Sequence, residues 1–368
     1  MDERLASLLL LNAVQSLDAR YIQELQEDGL SPEEFLGGGE SLWKERKISP
    51  RAIAFLRECL DFQWPFMEYE NCSALGVFHI TFEDPAYPLG LWDLPDPPIL
   101  LYCRGTFPPP RETGELIGVV GTRRCTVYGR EVAASLGRAL GESLCGVVSG
   151  GALGVDGAAH GGCLEAGGYS VAVLGTGVDE VFPLEHQDLF VNLLEKGGAL
   201  LSEYPLATRG KAWRFPRRNR IIAGISQRIV VVEAPARSGA IITARLGGEI
   251  GREIWAVPGR IDEKVCAGSN ALLAEGSYPL VSISDFTELL APGREQKLLF
   301  SQEFQEDSLL SPEGEKILSY LRREGDRTVD NIAQGVTMSA ASITGELALL
   351  ESLGRVCSYG PGRWRAVL

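Results

Sequence analysis

Short apolar runs separated by glycine-rich turns dominate the middle of the chain. The strands that they predict end at Val120, Ser149 and Leu174 and continue in the segments GALLSEY, RIVVVEA and EIWAVPG. β-Branched runs without strict alternation are typical of parallel strands that are buried on both faces. Helical segments between the runs predict right-handed crossovers. We therefore expect residues 112–290 to form an open, doubly wound, mainly parallel α/β sheet.

Helical spacing dominates the first 70 residues. The segment RLASLLLLNAV repeats apolar residues at helical intervals, and Arg51–Phe62 is a second helix candidate. Ser31–Leu36 reads SPEEFL, which offers a serine cap, a proline at the first helical position and a glutamate at the third. We expect residues 1–70 to form a small helical domain of the SAM or helix-hairpin-helix type.

A proline-rich passage, Ile80–Gly105, separates the helices from the main sheet. Its prolines exclude helix interiors. The segment ILLYCRG at its end is expected to be an edge strand that leads into a core domain of residues 71–292.

The C-terminal pattern predicts a separate winged-helix domain. An acidic linker, residues 293–307, precedes a helix, a short helix, a third helix and a hairpin in residues 308–368. Between Ser339 and Leu353, the expected recognition helix, the only charged residues are Glu346 and Glu351. Reading a major groove usually takes Arg, Lys, Asn or Gln on that helix. We therefore expect a protein-contact or regulatory module.

Composition narrows the class of protein. The chain is 45% hydrophobic and 23% charged, and its length of 368 residues suggests two or three domains. It lacks an apolar run of the roughly 18–20 residues needed to span a bilayer. Acidic residues open the chain before the first apolar run, which is not the basic start of a secretory signal. Eight dispersed cysteines without a CxxC pair, and three histidines, do not suggest a zinc site. We expect a cytoplasmic protein with no cofactor, metal or membrane insertion.

One basic run stands out in this acidic protein. The net charge is −14, yet Arg209–Arg220 reads RGKAWRFPRRNR, with six basic residues and no acidic residue. Net acidity repels nucleic acid at long range, but contact is decided within about 10 Å at ordinary salt. The run therefore predicts a local anion-binding surface.

Small and basic residues follow the predicted strands. Gly121, Arg123 and Arg124 follow the first strand, the turn Ser149–Gly151 follows the second, and Ser238 and Gly239 lie in a later loop. Ligands of such sheets bind beyond the carboxyl ends of the strands. Glycine turns let amide groups approach an anion, and arginines make bidentate phosphate contacts. These loops predict a phosphate cradle at one edge of the sheet.

The spacing of the glycines disfavours ordinary nucleotide sites. The chain lacks a clean GxGxxG after a strand, a GxxxxGK[ST] loop and a GxSxG motif. Spaced anion sites beside Trp213 and Phe215 fit single-stranded nucleic acid better, because bases stack on aromatic rings. Alternatives stay open for both groups of residues. The aromatic side chains could pack in the core, and the arginines could form a solvated charged face, cap carbonyls or pair with Glu203.

At these residues the sequence strongly resembles the DNA-processing protein A family, also called DprA or Smf. The matching text between Ile80 and Phe286 is GVVGTRR, VVSGGALGVDGAAH, VLGTGVDEVFP, LLSEYP, FPRRNRIIAGIS, VVVEAPARSGAIITAR and VPGRI followed by GSNALLAEG. The resemblance implies a Rossmann-like core that binds single-stranded DNA, forms homodimers and loads the RecA recombinase during natural transformation. It implies a recombination mediator rather than an enzyme.

The resemblance also implies which residues contact DNA. Family members often carry a lysine three residues before the phenylalanine of the FP motif. Here Lys211 lies four residues before Phe215 and Arg214 is adjacent to it, so either could fill that role. The full expected set is Gly121, Arg123, Arg124, Ser149, Gly150, Gly151, Lys211, Arg214, Phe215, Arg217, Arg218, Asn219, Arg220, Ser238 and Gly239.

An enzyme is the main rival. Phosphoribohydrolases that cleave nucleoside monophosphates have a related fold and carry PGGxGTxxE, with a catalytic glutamate. The comparable segment here is APARSGAIITARLG, in which Ala244 and Arg245 follow Thr243 and the glutamate is missing. General acid or base catalysis needs such a carboxylate within reach. A third possibility is a nucleotide-sensing scaffold that does not bind DNA, and the aromatic-basic run argues against it.

Overall fold

The computed structural model describes residues 1–14, 16–61, 63–111, 113–290, 311–352, 355–359 and 362–366. Contacts between Cα atoms separate the chain into two compact units, residues 1–292 and 293–368. None of the helices in the described ranges is both long and apolar enough to cross a membrane. The first unit holds the main sheet and the candidate site.

Six helices lie in the described part of residues 1–74. They are α1 (Glu3–Ala13), α2 (Ala19–Glu27), α3 (Pro32–Gly37), α4 (Gly39–Glu45), α5 (Pro50–Asp61) and α6 (Trp64–Ala74). The expected cap of α3 is confirmed: the Ser31 hydroxyl accepts the Glu34 amide, and the Glu34 carboxylate accepts the Ser31 amide. Four consecutive leucines of α1, residues 8–11, are buried, so this helix lies within the core.

A single sheet of nine strands follows. The strands are β1 (Val77–Thr81), β2 (Leu100–Gly105), β3 (Leu116–Val120), β4 (Gly146–Ser149), β5 (Ser170–Val173), β6 (Ala199–Ser202), β7 (Arg228–Val231), β8 (Glu253–Ala256) and β9 (Tyr278–Pro279). Their order is β1-β2-β6-β5-β4-β3-β7-β8-β9. The pairs β1–β2 and β2–β6 are antiparallel, and every other pair is parallel. The expected mainly parallel α/β sheet is confirmed.

The prediction that ILLYCRG is an edge strand is wrong. This segment forms β2, in which Tyr102 pairs with His79 of β1 on one side and with Ser202 of β6 on the other. Residues 99–103 are buried, and such an apolar run needs a neighbour on each side. The strand that supplies the outer neighbour, β1, was not predicted from the sequence pattern.

Six helices connect successive strands from β3 to β9, and a seventh follows β9. They are α7 (Val127–Glu142), α8 (Val155–Glu165), α9 (Gln187–Glu195), α10 (Arg214–Ile225), α11 (Gly239–Glu249), α12 (Ala267–Ala274) and α13 (Ile283–Leu290). From β3 the chain builds the sheet in one direction through β4, β5 and β6, and it then returns to place β7 on the opposite side of β3. Loops diverge at such a switch point and leave a crevice beyond the carboxyl ends of the strands. The loops after β3 and β7 border this crevice.

The described part of the second unit contains three helices and a small antiparallel sheet. They are α14 (Pro312–Glu324), β10 (Arg327–Thr328), α15 (Val329–Val336), α16 (Ala340–Ser352), β11 (Val356–Tyr359) and β12 (Arg363–Ala366). The strand order is β10-β12-β11, and apolar side chains of all three helices form the core. The expected linker, residues 293–307, lies outside the described residues.

Candidate nucleic-acid interface

The basic run begins in an exposed loop and continues into α10. Arg209 and Lys211 are exposed in the loop, whereas Arg218 and Arg220 are only 4% and 5% exposed. Helical spacing places Arg217 and Arg220, three residues apart, on the same face of α10. The run is therefore not a continuous solvated surface, because half of its charges turn inward.

Arg220 and Arg217 pair with two carboxylates. Nε of Arg220 lies 3.1 Å from Oδ2 of Asp96, and its Nη2 pairs with the buried carboxylate of Glu203. Nε of Arg217 lies 3.6 Å from the other oxygen of Glu203. Burial acts to lower the pKa of Arg220, but Glu203 and Asp96 raise it above its ordinary value. The structure thus gives Arg220 an internal ion pair, the alternative that the sequence left open, in place of the expected DNA contact.

Arg218 turns toward the glycine-rich turn after β4. Its Nε donates to Oδ1 of Asn219 at 3.1 Å, and its Nη1 donates to the carbonyls of Gly150, at 2.8 Å, and Val173. Burial lowers the pKa of Arg218 to about 10, with Asp156 opposing this effect, so the guanidinium stays charged at neutral pH. Among the described residues, Nη2 makes no hydrogen bond to the protein. It is therefore the donor that remains for a ligand.

The amides of the glycine-rich turn already hold an anion. The Asp156 carboxylate accepts the amide of Gly150 at 3.2 Å and that of Ala152 at 3.4 Å. Nδ1 of His186 donates to the carbonyl of Gly151 at 2.9 Å, and Gly151 has a φ of 64°, which favours glycine. The expectation that these two amides cradle a phosphate is corrected, because a buried carboxylate of the protein occupies them.

A cavity of about 390 Å³ opens beside this turn. The rings of Phe182 and Phe215 stack there with centroids 5.2 Å apart. The guanidinium carbon of Arg123 lies 5.1 Å from the Phe215 centroid, within cation–π range. The cavity is lined by Arg123, Gly150, Ala152, Leu153, Phe182, Pro183, Leu184, Glu185, Phe215 and Arg218. Of the expected set, the structure brings together Arg123, Gly150, Phe215 and Arg218, and it leaves the neighbouring Arg124 exposed.

Lys211 and Arg214 differ in the contacts that their side chains already make within the protein. The Arg214 guanidinium lies 5.0 Å from the Tyr204 ring centre and 5.2 Å from that of Trp213, and its Nη1 donates to the Arg209 carbonyl at 2.6 Å. The Lys211 side chain is exposed and makes no hydrogen bond to the described residues. Lys211 is thus the more available of the two cations.

The other expected residues have supporting positions. The Ser149 hydroxyl is buried and donates to a carbonyl of β3 at 2.6 Å. Ser238 caps α11, and Nδ2 of Asn219 donates to the Gly239 carbonyl at 3.1 Å, which ties α10 to α11. A methyl group at Gly121 would collide with the helix start of α8, so glycine permits a close approach there. These residues build the frame around the cavity.

Among the residues of the site that sequence reasoning missed are Asp156, Phe182 and His186. For Asp156 a signal exists, because an acidic residue at the second position of a helix after a glycine-rich turn favours the local amides. Phe182 and His186 come from the loop before α9, and the pattern gives no sign that this loop folds over the turn. Within the described ranges, no three His, Cys, Asp or Glu side chains are arranged to hold a metal ion.

Comparison with known proteins identifies the family. The model of the family described as DNA recombination-mediator protein A matches residues 78–291, a range that contains every expected contact residue. The chain belongs to this family. The family assignment made from the sequence motifs is therefore confirmed.

Two curated relatives illustrate the extent of the match. Protein Smf of Synechocystis is 37% identical over 243 residues, which cover 64% of this chain and 61% of that protein. A putative DNA processing protein DprA of Mycobacterium tuberculosis is 35% identical over 307 residues, which cover 83% and 75%. The alignment thus spans less than two thirds of the length of the Synechocystis relative.

Two solved structures share the fold. DNA processing protein A of Streptococcus pneumoniae superposes with a TM-score of 0.62 at 28% identity, covering 78% of this chain and 96% of that one. The Helicobacter pylori protein superposes with a TM-score of 0.51 at 28% identity, covering 58% and 95%. The latter structure concerns single-stranded DNA binding by that protein.

Proposed function

We propose that this protein binds single-stranded DNA and, as a recombination mediator, loads the RecA recombinase onto incoming strands during natural transformation. Family membership and the DNA binding of the Helicobacter pylori relative support this proposal. The observation that carries it is the Arg123 guanidinium over the Phe215 ring, at a cavity whose wall includes Arg218. Cation, aromatic face and recess are what an unpaired nucleotide needs.

Phosphates and bases would contact different parts of this surface. Arg123, Arg124 and Lys211 are exposed, so they can reach the phosphate chain, and Arg123 would give up only its contact with the Phe215 ring. A base can stack on Phe215 when the Arg123 guanidinium moves from that ring to a phosphate, and Trp213 at 47% exposure offers a second ring. Arg218 contributes its remaining Nη2 from the wall.

The recess favours an unpaired strand. The positive groups lie beside a cavity in an otherwise acidic protein, so a nucleotide must enter the recess to meet Arg218. A base in a duplex must first leave its stack, which costs a few kcal/mol. An unpaired strand enters without that cost, and the acidic exterior repels the duplex outside.

Asn219, Ser149 and Arg220 support the site rather than contact DNA in this proposal. Asn219 bridges two helices, the Ser149 hydroxyl is committed to β3, and Arg220 is paired with Glu203. Substituting any of these three side chains would disturb the structure around the cavity, but it would not remove a phosphate contact. Lys211 fills the role for which Arg214 was the alternative.

The remaining parts have proposed roles of their own. We assign residues 1–70 to a helical domain, 71–292 to the core, 293–307 to a linker and 308–368 to a winged-helix domain. Helix α16 carries two charged residues, Glu346 and Glu351, and each accepts a hydrogen bond from a nearby serine. This helix suits protein contact or regulation better than groove reading. The active form is proposed to be a homodimer.

A recombination mediator is preferred to a phosphoribohydrolase as the function of this protein. Thr243 directs its hydroxyl to the Gly239 carbonyl at 3.1 Å, and Ala244 beside it is buried. The segment that carries the catalytic glutamate in those enzymes therefore contributes no acid here. Incubation with AMP tests this directly, and release of the base would favour the enzyme.

Competition binding tests the proposal as a whole. A labelled single-stranded oligonucleotide should bind the wild-type protein, unlabelled single strand should displace it, and equal nucleotide concentrations of duplex or AMP should not. Displacement by AMP would support a nucleotide sensor, and equal displacement by duplex would contradict the preference for an unpaired strand.

A further inference from the structure

The segment that connects β6 to the basic loop is held at closely spaced points. It comprises residues 203–208, and the exposed loop Arg209–Trp213 follows it directly. Gly177, in the loop after β5, donates its amide to the Thr208 carbonyl at 2.9 Å. Two other anchors come from the N-terminal helices, which belong to a different predicted domain.

Asn12 and Glu68 supply these anchors. Nδ2 of Asn12 in α1 donates to the Glu203 carbonyl at 2.9 Å. Oε1 of Glu68 in α6 accepts the Leu206 amide at 2.8 Å, although the Glu68 side chain is only 5% exposed. Burial raises the pKa of Glu68, and the Leu206 amide acts in the opposite direction. Burying a carboxylate is costly unless its oxygens are hydrogen-bonded, so the contact with the Leu206 amide helps a carboxylate to be tolerated there.

The next residue has an unfavourable backbone conformation. Ala207 has a φ of 55°, which residues other than glycine rarely adopt. Both carboxylate oxygens of Asp179 accept its amide, at 2.9 and 3.1 Å. Two successive amides, of Leu206 and Ala207, are thus held by carboxylates. Strained conformations persist only where their surroundings over-determine them, and often lie at functional sites.

We infer that Glu68 is a positioning residue for the basic loop, through which the N-terminal helices set the geometry of the nucleic-acid cradle. This inference rests on the proposed function. By holding Leu206, Glu68 fixes the turn from which Arg209 and Lys211 project. Arg214 secures the far end of the loop, because its guanidinium donates to the Arg209 carbonyl. The loop is exposed but anchored at both ends.

Three variants of α6 separate this role from charge and packing. Glu68→Met keeps the side-chain volume but removes the acceptor, and Glu68→Gln keeps an acceptor oxygen. Glu70→Met makes the same chemical change at an exposed position of the same helix. Each full-length protein is assayed for single-stranded DNA affinity, for the rate of tryptic cleavage after Arg209 and Lys211, and for thermal unfolding.

Trypsin should cleave the Glu68→Met protein about tenfold faster than wild type, and this variant should bind single-stranded DNA about tenfold more weakly. The reason is that its loop holds the binding geometry only about a tenth of the time. In Glu68→Gln, which keeps an acceptor, and in Glu70→Met, which changes an exposed position, the cleavage rate and the DNA affinity should stay within about twofold of wild type. The tenfold change expected for Glu68→Met corresponds to about 1.4 kcal/mol. Unchanged cleavage in Glu68→Met, or equal loss in Glu68→Gln, would overturn the inference. If wild type binds no single strand, the proposed function fails, whereas the cleavage assay still tests the anchor.

A measurement on the wild type covers the case in which Glu68→Met does not fold. Amide hydrogen exchange at Leu206 and Ala207 should be as slow as in the flanking strand β6. Rapid exchange at both would show that the anchor does not hold, and would overturn the inference.

Discussion

The guanidinium of Arg123 lies over the ring of Phe215, although 92 positions separate them in the chain. The first follows β3, and the second lies in the first turn of α10. This contact links the loop after β3, at the switch point of the sheet, to the basic run Arg209–Arg220. A phosphate contact and a base contact thus lie side by side, which makes them separable by substitution.

Substituting these two residues should affect binding in different ways. Phe215→Leu removes a stacking face, so single-strand binding should weaken by about 1–3 kcal/mol with the same salt dependence. Arg123→Ala removes a phosphate contact, so the slope of log K against log salt should become shallower by about 0.7. Fluorescence anisotropy across a salt series measures both. Identical changes of slope in the two variants would contradict the division of roles.

Arg220 and Lys211 should separate stability from binding. Arg220→Ala leaves the buried Glu203 with only the longer contact to Arg217, so the free energy of unfolding should fall by up to about 3–5 kcal/mol. Lys211→Ala changes an exposed side chain, so stability should shift by less than about 0.5 kcal/mol while single-strand affinity falls. Urea unfolding and anisotropy on the same samples check this pair. A stable Arg220→Ala protein with weakened binding would restore Arg220 as a direct contact.

A methyl group at Gly150 should disturb the cavity wall. An added Cβ would lie 2.7 Å from the guanidinium carbon of Arg218, so Gly150→Ala should displace Arg218 and weaken single-strand binding. Gly161 in α8 has open space around it, and alanine there should stabilise the helix by about 0.5–1 kcal/mol without changing affinity. Binding and thermal unfolding of both variants test the prediction, and unchanged affinity in Gly150→Ala would argue against a role for Arg218.

His160, which is buried, and His79, which is half-buried, should make the protein less stable in acid. Burial lowers the pKa of His160 to about 3 and that of His79 to about 4, from an ordinary 6.5. Below about pH 6.5 the unfolded chain therefore binds protons that the folded protein does not, so these groups reduce stability as the pH falls. Each adds a slope of up to about 1.4 kcal/mol per pH unit.

Urea unfolding at several pH values between about 7 and 5 checks this dependence. His160→Gln cannot take up that proton, so its stability should decline less steeply than that of the wild type. Parallel declines in the two proteins would show that His160 is not the group responsible.

The isolated C-terminal unit, residues 293–368, should not bind duplex DNA tightly at physiological salt. Residues 308–368 contain equal numbers of basic and acidic residues, and α16 offers no arginine or lysine. Non-specific affinity comes mainly from cations that neutralise phosphates. An electrophoretic mobility assay with the fragment checks this, and a tight complex would assign DNA binding to the second unit.

The main strands and turns were predictable because local sequence determines them. β3 ends at Val120 and β4 at Ser149, as the apolar runs predict, and β5 ends at Val173, one residue earlier than expected. The cap at Ser31 was equally local. Each of these features depends on residues within a few positions of one another.

The directions of the arginines were not predictable, because they depend on distant partners. Nothing in the run itself distinguishes Arg220, which meets Asp96 from the proline-rich passage, from the exposed Lys211. The occupation of the turn amides by Asp156 likewise depends on how α8 begins. Sequence thus locates the site, and tertiary packing decides which of its charges face a ligand.

The salt dependence of single-strand binding tests the central claim most directly. If the cradle neutralises about four phosphates, a plot of log K against log salt should have a slope of roughly −3 for the wild-type protein. Affinity for an equal length of duplex should be markedly weaker at every salt concentration. A slope near zero, or a duplex that binds as tightly as the single strand, would contradict the account.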